Sequence, residues 1–166
     1  MTVTRGREQV FLGMHIRYTE GNTAVITMKD YLKEAITESG LDVSRPASTP
    51  ARRTLFEVDN TTNLLGKRER EMFHSVSAKL LYVSLPARVD LVLVIAFLCT
   101  RVSKSTEQDL LKLKRELQHI RGSMDLEYTV GADNIICHTL GHEEPHRRCD
   151  VVWARWNTVQ VHQTET

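Results

Sequence analysis

The chain has few cysteines, few aromatic residues and no long apolar run. Its 166 residues include three cysteines without regular spacing, which argues against a disulfide framework and favours an intracellular compartment, either cytoplasm or nucleus. The most apolar stretch, residues 89–99, is about half the length of the roughly 20 residues that a membrane-spanning helix needs. The N-terminal residues lack the apolar segment of a secretory signal. These absences predict a globular domain without a membrane partner.

The chain also lacks an excess of either charge. Its 22 basic and 21 acidic residues leave a formal net charge of +1, so any binding to nucleic acid has to be local. It contains no adjacent aspartates and no Gly-rich phosphate loop. Because two-metal phosphoryl transfer needs clustered carboxylates, we predict no catalytic residues.

Hydrophobic periodicity predicts a β-hairpin followed by a helix and a connector. The β-rich runs at residues 10–18 and 23–28 are separated by a short Gly/Asn-containing gap, which is typical of a hairpin. A helical stripe follows in residues 31–36, and Gly40 supplies a left-handed stop. Residues 42–66 contain prolines and no periodicity, which predicts a long irregular connector.

Three further helices are predicted beyond the connector. The first covers residues 67–84, where Pro86 interrupts it and starts the second, residues 88–102. A capping box of Ser105 and Gln108 introduces the third, residues 106–121, which Gly122 ends. Its predicted buried stripe is Leu110, Leu113, Leu117 and Ile120.

The last helix carries charges of both signs. Glu107, Asp109 and Glu116 alternate with basic residues, and mixed charge of this kind is typical of a solvated helix face. A short strand with alternating apolar residues is predicted at 126–130.

Six motifs stand out along the chain: Phe11-Leu12-Gly13-Met14, residues 31–41, residues 45–50, Leu80-Leu81-Tyr82-Val83, Ala87-Arg88-Val89-Asp90 and residues 114–123. In this order and spacing they resemble the reverse transcriptase of copia-type LTR retrotransposons. Three positions depart from the family pattern, since Val89 replaces a proline, Leu111 replaces an aromatic residue and His119 replaces a tyrosine. The resemblance covers roughly residues 3–133.

The resemblance implies the end of the palm, the thumb and the link toward ribonuclease H. The expected fold is α+β, with a primer-grip-like β-hairpin in residues 1–28, a thumb-like bundle of about four helices in residues 29–133, and an irregular tail in residues 134–166. Members of the family are RNA-directed DNA polymerases, and their catalytic carboxylates lie upstream of the segment that this chain resembles. We therefore expect no catalysis and no cofactor for this chain, although the intact family enzyme uses Mg²⁺.

The same resemblance implies nucleic-acid partners and the residues that would contact them. A template–primer duplex, RNA–DNA or DNA, and the remainder of a Pol polyprotein are the expected partners. The alternative for Gly13 is a purely structural role in the hairpin, and for the cations a solvated helix face. The primer-grip candidates are Phe11, Leu12, Gly13 and Met14, and the thumb candidates for phosphate contacts are Lys112, Lys114, Arg115 and Arg121.

The tail contains a cluster of potential zinc ligands, Cys137, His138, His142, His146 and Cys149. However, no Cys-x2-Cys element is present, and Pro145 interrupts a helical arrangement of the last two histidines. A different hypothesis is that the tail is frameshifted ribonuclease H sequence. With permitted codon choices, residues 142–156 read one nucleotide later give a family phrase, in which case the cluster is an accident of translation. A zinc-binding module and a non-catalytic nucleic-acid-binding module both remain alternatives.

Overall fold

One antiparallel sheet and four α-helices make up the described part of the chain. A computed structural model describes residues 6–20, 23–59, 61–131 and 159–162. The predicted α+β class, with strands first and four helices after them, is confirmed. The strands are β1 (Glu8–Phe11), β2 (Met14–Thr19), β3 (Thr23–Thr27), β4 (Glu127–Gly131) and β5 (Val159–His162). The helices are α1 (Lys29–Ser39), α2 (Lys67–Ala87), α3 (Val92–Arg101) and α4 (Glu107–Gly122).

The sheet joins the two ends of the described chain. Its strand order is β1-β2-β3-β4-β5, and all neighbours are antiparallel. Val25 in β3 pairs with Thr129 in β4, so the strand that follows the last helix returns beside the N-terminal strands. The pairing of β5 with β4 adds a strand within the tail that was not predicted.

The first predicted strand is in fact two strands. Leu12 has φ 51° and Gly13 has φ 81°, and Phe11 pairs with Met14 across them. Two consecutive residues with positive φ form the two-residue turn that matches the twist of a hairpin, and glycine adopts this conformation without strain. The prediction of one strand over residues 10–18 is therefore wrong, because Gly13 permits a turn inside it.

The helix boundaries agree with the sequence at some ends and differ at others. Gly40 has φ 61° and donates its N–H to the Thr37 carbonyl, which confirms the left-handed stop of α1. Helix α2 continues through Pro86 to Ala87, so the predicted interruption is wrong. Pro86 removes one backbone N–H donor from the last turn, and the helix ends one residue after it.

Helices α3 and α4 begin later than predicted, at Val92 instead of residue 88 and at Glu107 instead of residue 106. A 3₁₀ turn at Val89–Leu91 precedes α3. Helix α4 is capped by Thr106, whose Oγ1 accepts from the Asp109 N–H, while the Asp109 carboxylate accepts from the Thr106 N–H. The predicted capping box of Ser105 and Gln108 is therefore wrong by one residue.

The hydrophobic core lies between α2, α3 and α4. Met28, Leu32 and Ala35 extend it to α1. Among the described residues, no helix combines the length and hydrophobicity needed to cross a membrane. The largest fully buried apolar side chains contributed by α2, α3, α4 and the 3₁₀ turn are Phe73, Leu80, Leu91, Ile95, Leu98, Leu113, Leu117 and Ile120.

Gly122 is the last residue of α4, and close packing rather than backbone freedom explains the glycine there. It lies inside α4 and makes close contact with the connector, where a Cβ on this residue would come within 2.9 Å of the Pro46 Cβ. Gly122 is therefore required by close packing rather than by a left-handed helix end.

Candidate nucleic-acid interface

The irregular connector, residues 42–66, lies antiparallel along one face of α4. At the C-terminal end of the helix, the Ala47 N–H donates to the Gln118 carbonyl at 3.2 Å. At the N-terminal end, the Glu107 N–H donates to the Asn63 carbonyl at 3.1 Å. The absence of regular structure is as predicted, yet the connector is anchored by the buried side chains Val43, Leu55 and Leu65.

Between these ends, residues 50–55 arch away from α4 and leave a groove of about 400 Å³. Four of its lining side chains are cationic and none is a carboxylate. Three of the four predicted thumb cations are therefore brought together, and Arg52, which was not predicted as a site residue, joins them. The lining residues are Pro50, Ala51, Arg52, Thr54, Leu55, Gln108, Leu111, Lys112, Lys114, Arg115 and Gln118.

Lys112 is largely engaged within the protein. Its Nζ donates to the Glu57 carbonyl at 2.6 Å and lies 3.7 Å from Asp109 Oδ1. The same ammonium lies 4.9 Å from the centre of the Phe97 ring, within cation–π range. Its charge contributes to the potential of the groove, but its donors already have partners.

Arg115 is partly engaged. Its Nη2 donates to Thr49 Oγ1 at 2.9 Å, while its buried Nε has no hydrogen-bond partner among the described residues. The bond to Thr49 and the bond from Lys112 to Glu57 tie the connector to α4 on either side of the arch.

Lys114 and Arg52 keep the most free hydrogen-bonding capacity. Neither side chain makes a hydrogen bond or a close ion pair within the described ranges. The Lys114 charge reaches Asp42, whose pKa is lowered mainly by hydrogen bonds from Ser44. Arg121 is exposed and lies seven residues beyond Lys114 on the same edge of α4, about 10 Å along the helix axis, but it does not line the groove.

The predicted primer-grip residues form the turn between β1 and β2. Phe11 and Leu12 are 59% and 65% exposed, whereas Met14 packs against the core. The Tyr82 hydroxyl of α2 donates to the Leu12 carbonyl at 2.8 Å and supports the turn. The positive φ of Gly13 favours the interpretation that this residue has a structural role in the hairpin, because the turn itself requires a glycine.

Two motifs of the family resemblance meet in a buried polar network. Arg88 is 3% exposed and donates to both carboxylate oxygens of Asp90, at 2.9 and 2.8 Å, and to the carbonyl and hydroxyl of Ser123. His119 lies with Nε2 3.3 Å from Asp90 Oδ2 and Nδ1 3.1 Å from the Ala47 carbonyl. Burial raises the pKa of Asp90, but Arg88 and His119 together hold it below its ordinary value. The network fixes the start of α3 and the connector against the end of α4.

Two acids on α4 contradict the prediction of a solvated face. Asp109 and Glu116 are both 0% exposed. Asp109 is compensated by Thr106 and by Arg101, whose Nε lies 3.3 Å away. Neither carboxylate oxygen of Glu116 has a hydrogen-bond partner among the described residues, and burial, with a smaller effect of the Asp90 charge, raises its pKa well above the ordinary value.

A signal for this burial was present in the sequence. Glu116 lies three residues after Leu113 and four before Ile120, which places it within the apolar stripe of α4. The charge of Glu116 predicts an exposed side chain, whereas its position in the stripe predicts a buried one, and the position decides.

No known protein family, curated protein or solved structure matches the chain. The copia-type assignment therefore stays a prediction from motifs. The tail cluster Cys137, His138, His142, His146 and Cys149 lies outside the described residues. Within the described ranges, no three His, Cys, Asp or Glu side chains are grouped to hold a metal ion, so no Mg²⁺ site is assigned to them.

Proposed function

We propose that this chain is a non-catalytic fragment of a copia-type retrotransposon reverse transcriptase, running from the end of the palm through the thumb, that binds a template–primer duplex. The motif resemblance supports the family. The groove beside α4, lined by four cations and no carboxylate, carries the binding part of the proposal, because phosphates are the main contacts that a protein makes to a duplex.

A chain of net charge +1 would bind a polyanion through basic residues that lie together at the groove and along one edge of α4. Lys114 and Arg52 have free donors at the groove, and Arg121 extends the positive edge of α4 by nearly two turns. Lys112 and Arg115 add charge while they hold the connector in place. A preorganised basic edge of this kind gains affinity by releasing counterions from the nucleic acid.

The proposal assigns no polymerase chemistry to the chain. The sequence contains no adjacent aspartates to hold two cations. In primer extension with Mg²⁺ and deoxynucleotides, the purified protein is expected to incorporate nothing, and incorporation would contradict this part of the proposal. An intracellular location and association with the rest of a Pol polyprotein belong to the same proposal.

Binding is tested by fluorescence anisotropy with a labelled RNA–DNA hybrid over a series of salt concentrations. Lys114→Ala and Arg52→Ala are each expected to weaken binding and to lower the slope of log K against log salt by about 1. Arg70→Ala is the matched control, since Arg70 is exposed on α2 and lies outside the groove. Absence of binding, or equal losses in all three variants, would refute the assignment of the surface.

A further inference from the structure

We propose that the groove between α4 and residues 50–55 binds one unpaired nucleotide of a nucleic-acid strand. Its phosphate would lie on Lys114 and Arg52, and its base against Leu111. The inference rests on the nucleic-acid binding proposed above and adds to it a place for one unpaired nucleotide.

The size of the groove favours an unpaired unit. Its volume of about 400 Å³ falls in the range of pockets that enclose small ligands. A double helix is a convex rod that contacts proteins over many base pairs, so it can only lie across the rim of such a concavity. A single nucleotide, with one phosphate and one base, is of the size that can enter.

Two hydrogen bonds cross from α4 to the connector at the groove. The hydrogen bond from Arg115 to Thr49 and the hydrogen bond from Lys112 to Glu57 cross from α4 to the connector on either side of the arch. An extended acidic peptide would need a continuous track and a free backbone edge to pair with. The two crossings interrupt such a track, which favours the nucleotide over the peptide.

The lining divides into a cationic part and an apolar part, as a nucleotide requires. Lys114 and Arg52 have unoccupied donors, and the planar guanidinium of Arg52 suits two phosphate oxygens at once. Leu111 is 67% exposed although it is apolar, and it offers an aliphatic surface to the face of a base. Gln118 offers an amide donor and acceptor for a base edge.

Three labelled ligands test the inference by anisotropy. They are a blunt RNA–DNA hybrid of about 16 base pairs, the same hybrid with a short template overhang, and the overhang strand alone. The overhang is expected to tighten binding about fivefold, the low end of what a stacked base contributes, because the wall is aliphatic rather than aromatic.

The Leu111→Ser variant separates this site from the duplex surface. In this variant the ratio of the affinities for the overhanging and the blunt hybrid should fall to about 1, whatever its affinity for the blunt hybrid. Leu93→Ser is the matched control, because Leu93 is 63% exposed on α3 and lies outside the groove. Circular dichroism of both variants verifies that the fold is retained.

Each outcome decides between the proposals. Equal affinities for blunt and overhanging hybrids, or a gain that survives Leu111→Ser, would overturn the nucleotide site while duplex binding stands. Binding of the single strand without the blunt hybrid would support the site and refute the duplex proposal. If an acidic peptide displaces the overhanging hybrid equally from wild type and Leu111→Ser, the groove is a general anion site and the inference fails. Absence of binding to all three ligands refutes both.

Discussion

The unpaired carboxyl of Glu116 makes the stability of this protein depend on pH. Glu116 is 0% exposed, and its oxygens have no hydrogen-bond partner among the described residues. An isolated charge in such a place is costly, so the folded protein retains the protonated acid, whereas the unfolded chain ionises near the ordinary value of 4.5. A raised folded pKa contributes stability that is complete below pH 4.5 and is lost as the pH rises toward that folded pKa.

The magnitude follows from the proton linkage. Between the unfolded and the folded pKa, each pH unit lowers the free energy of unfolding by about 1.4 kcal/mol. The loss caused by this one group therefore accumulates with every pH unit between 4.5 and its raised folded pKa. Glu116→Gln keeps the shape of the side chain but cannot ionise. The variant is expected to match the wild type within about 1 kcal/mol at pH 5 and to gain on it by about 1.4 kcal/mol for each further pH unit until the folded pKa of Glu116 is passed.

Urea denaturation followed by circular dichroism, at fixed ionic strength from pH 5 to pH 8, measures the difference. Because all other titrating groups are common to both proteins, they cancel in the comparison. Glu71→Gln, an exposed glutamate on α2, is the matched control and should leave the pH dependence unchanged. Parallel pH profiles of wild type and Glu116→Gln would refute the reasoning, since they would mean that Glu116 is ionised in the folded protein.

Three further substitutions test the packing around the interface by urea denaturation. Asp90→Asn leaves the buried guanidinium of Arg88 without its counter-charge and should lower the free energy of unfolding by about 3 kcal/mol. A loss below about 1 kcal/mol would contradict this, because it is the value expected of a solvent-exposed ion pair. Gly122→Ala drives a Cβ against Pro46 and should cost about 1 kcal/mol net, although alanine favours helices; stabilisation would contradict that contact. Tyr82→Phe removes the bond to the hairpin turn and should cost at most about 1 kcal/mol, with faster amide exchange in the turn. Unchanged exchange would show that the bond does not support the turn.

Local patterns in the sequence were enough to place most helices. The spacing of Leu32 and Ala35, with Gly40 after them, located α1 and its end, since helix periodicity and the left-handed stop depend only on neighbouring residues. The stripe of Leu113, Leu117 and Ile120 located α4 in the same way. The turn at Gly13 was missed because one glycine in a β-rich run is compatible with a strand or with a turn.

The candidate site was likewise predicted only in part from the sequence. Lys112, Lys114 and Arg115 were recognised from one helix and one family motif, so their shared position on α4 was expected. The groove itself was not, because it exists only where residues 50–55 arch over that helix and bring Arg52 opposite Lys114. An irregular segment has no periodicity from which its path can be deduced.

The sequence by itself therefore determined where the helices lie, where α1 stops and which face of α4 is apolar, because these follow from short-range sterics and hydrogen bonds. Only the tertiary structure decided that β4 pairs with β3 across about a hundred residues, that Glu116 is enclosed without a partner, and that the connector forms a basic groove. Those outcomes depend on which surfaces pack together, and the free energy of packing is a property of the whole chain rather than of any local segment.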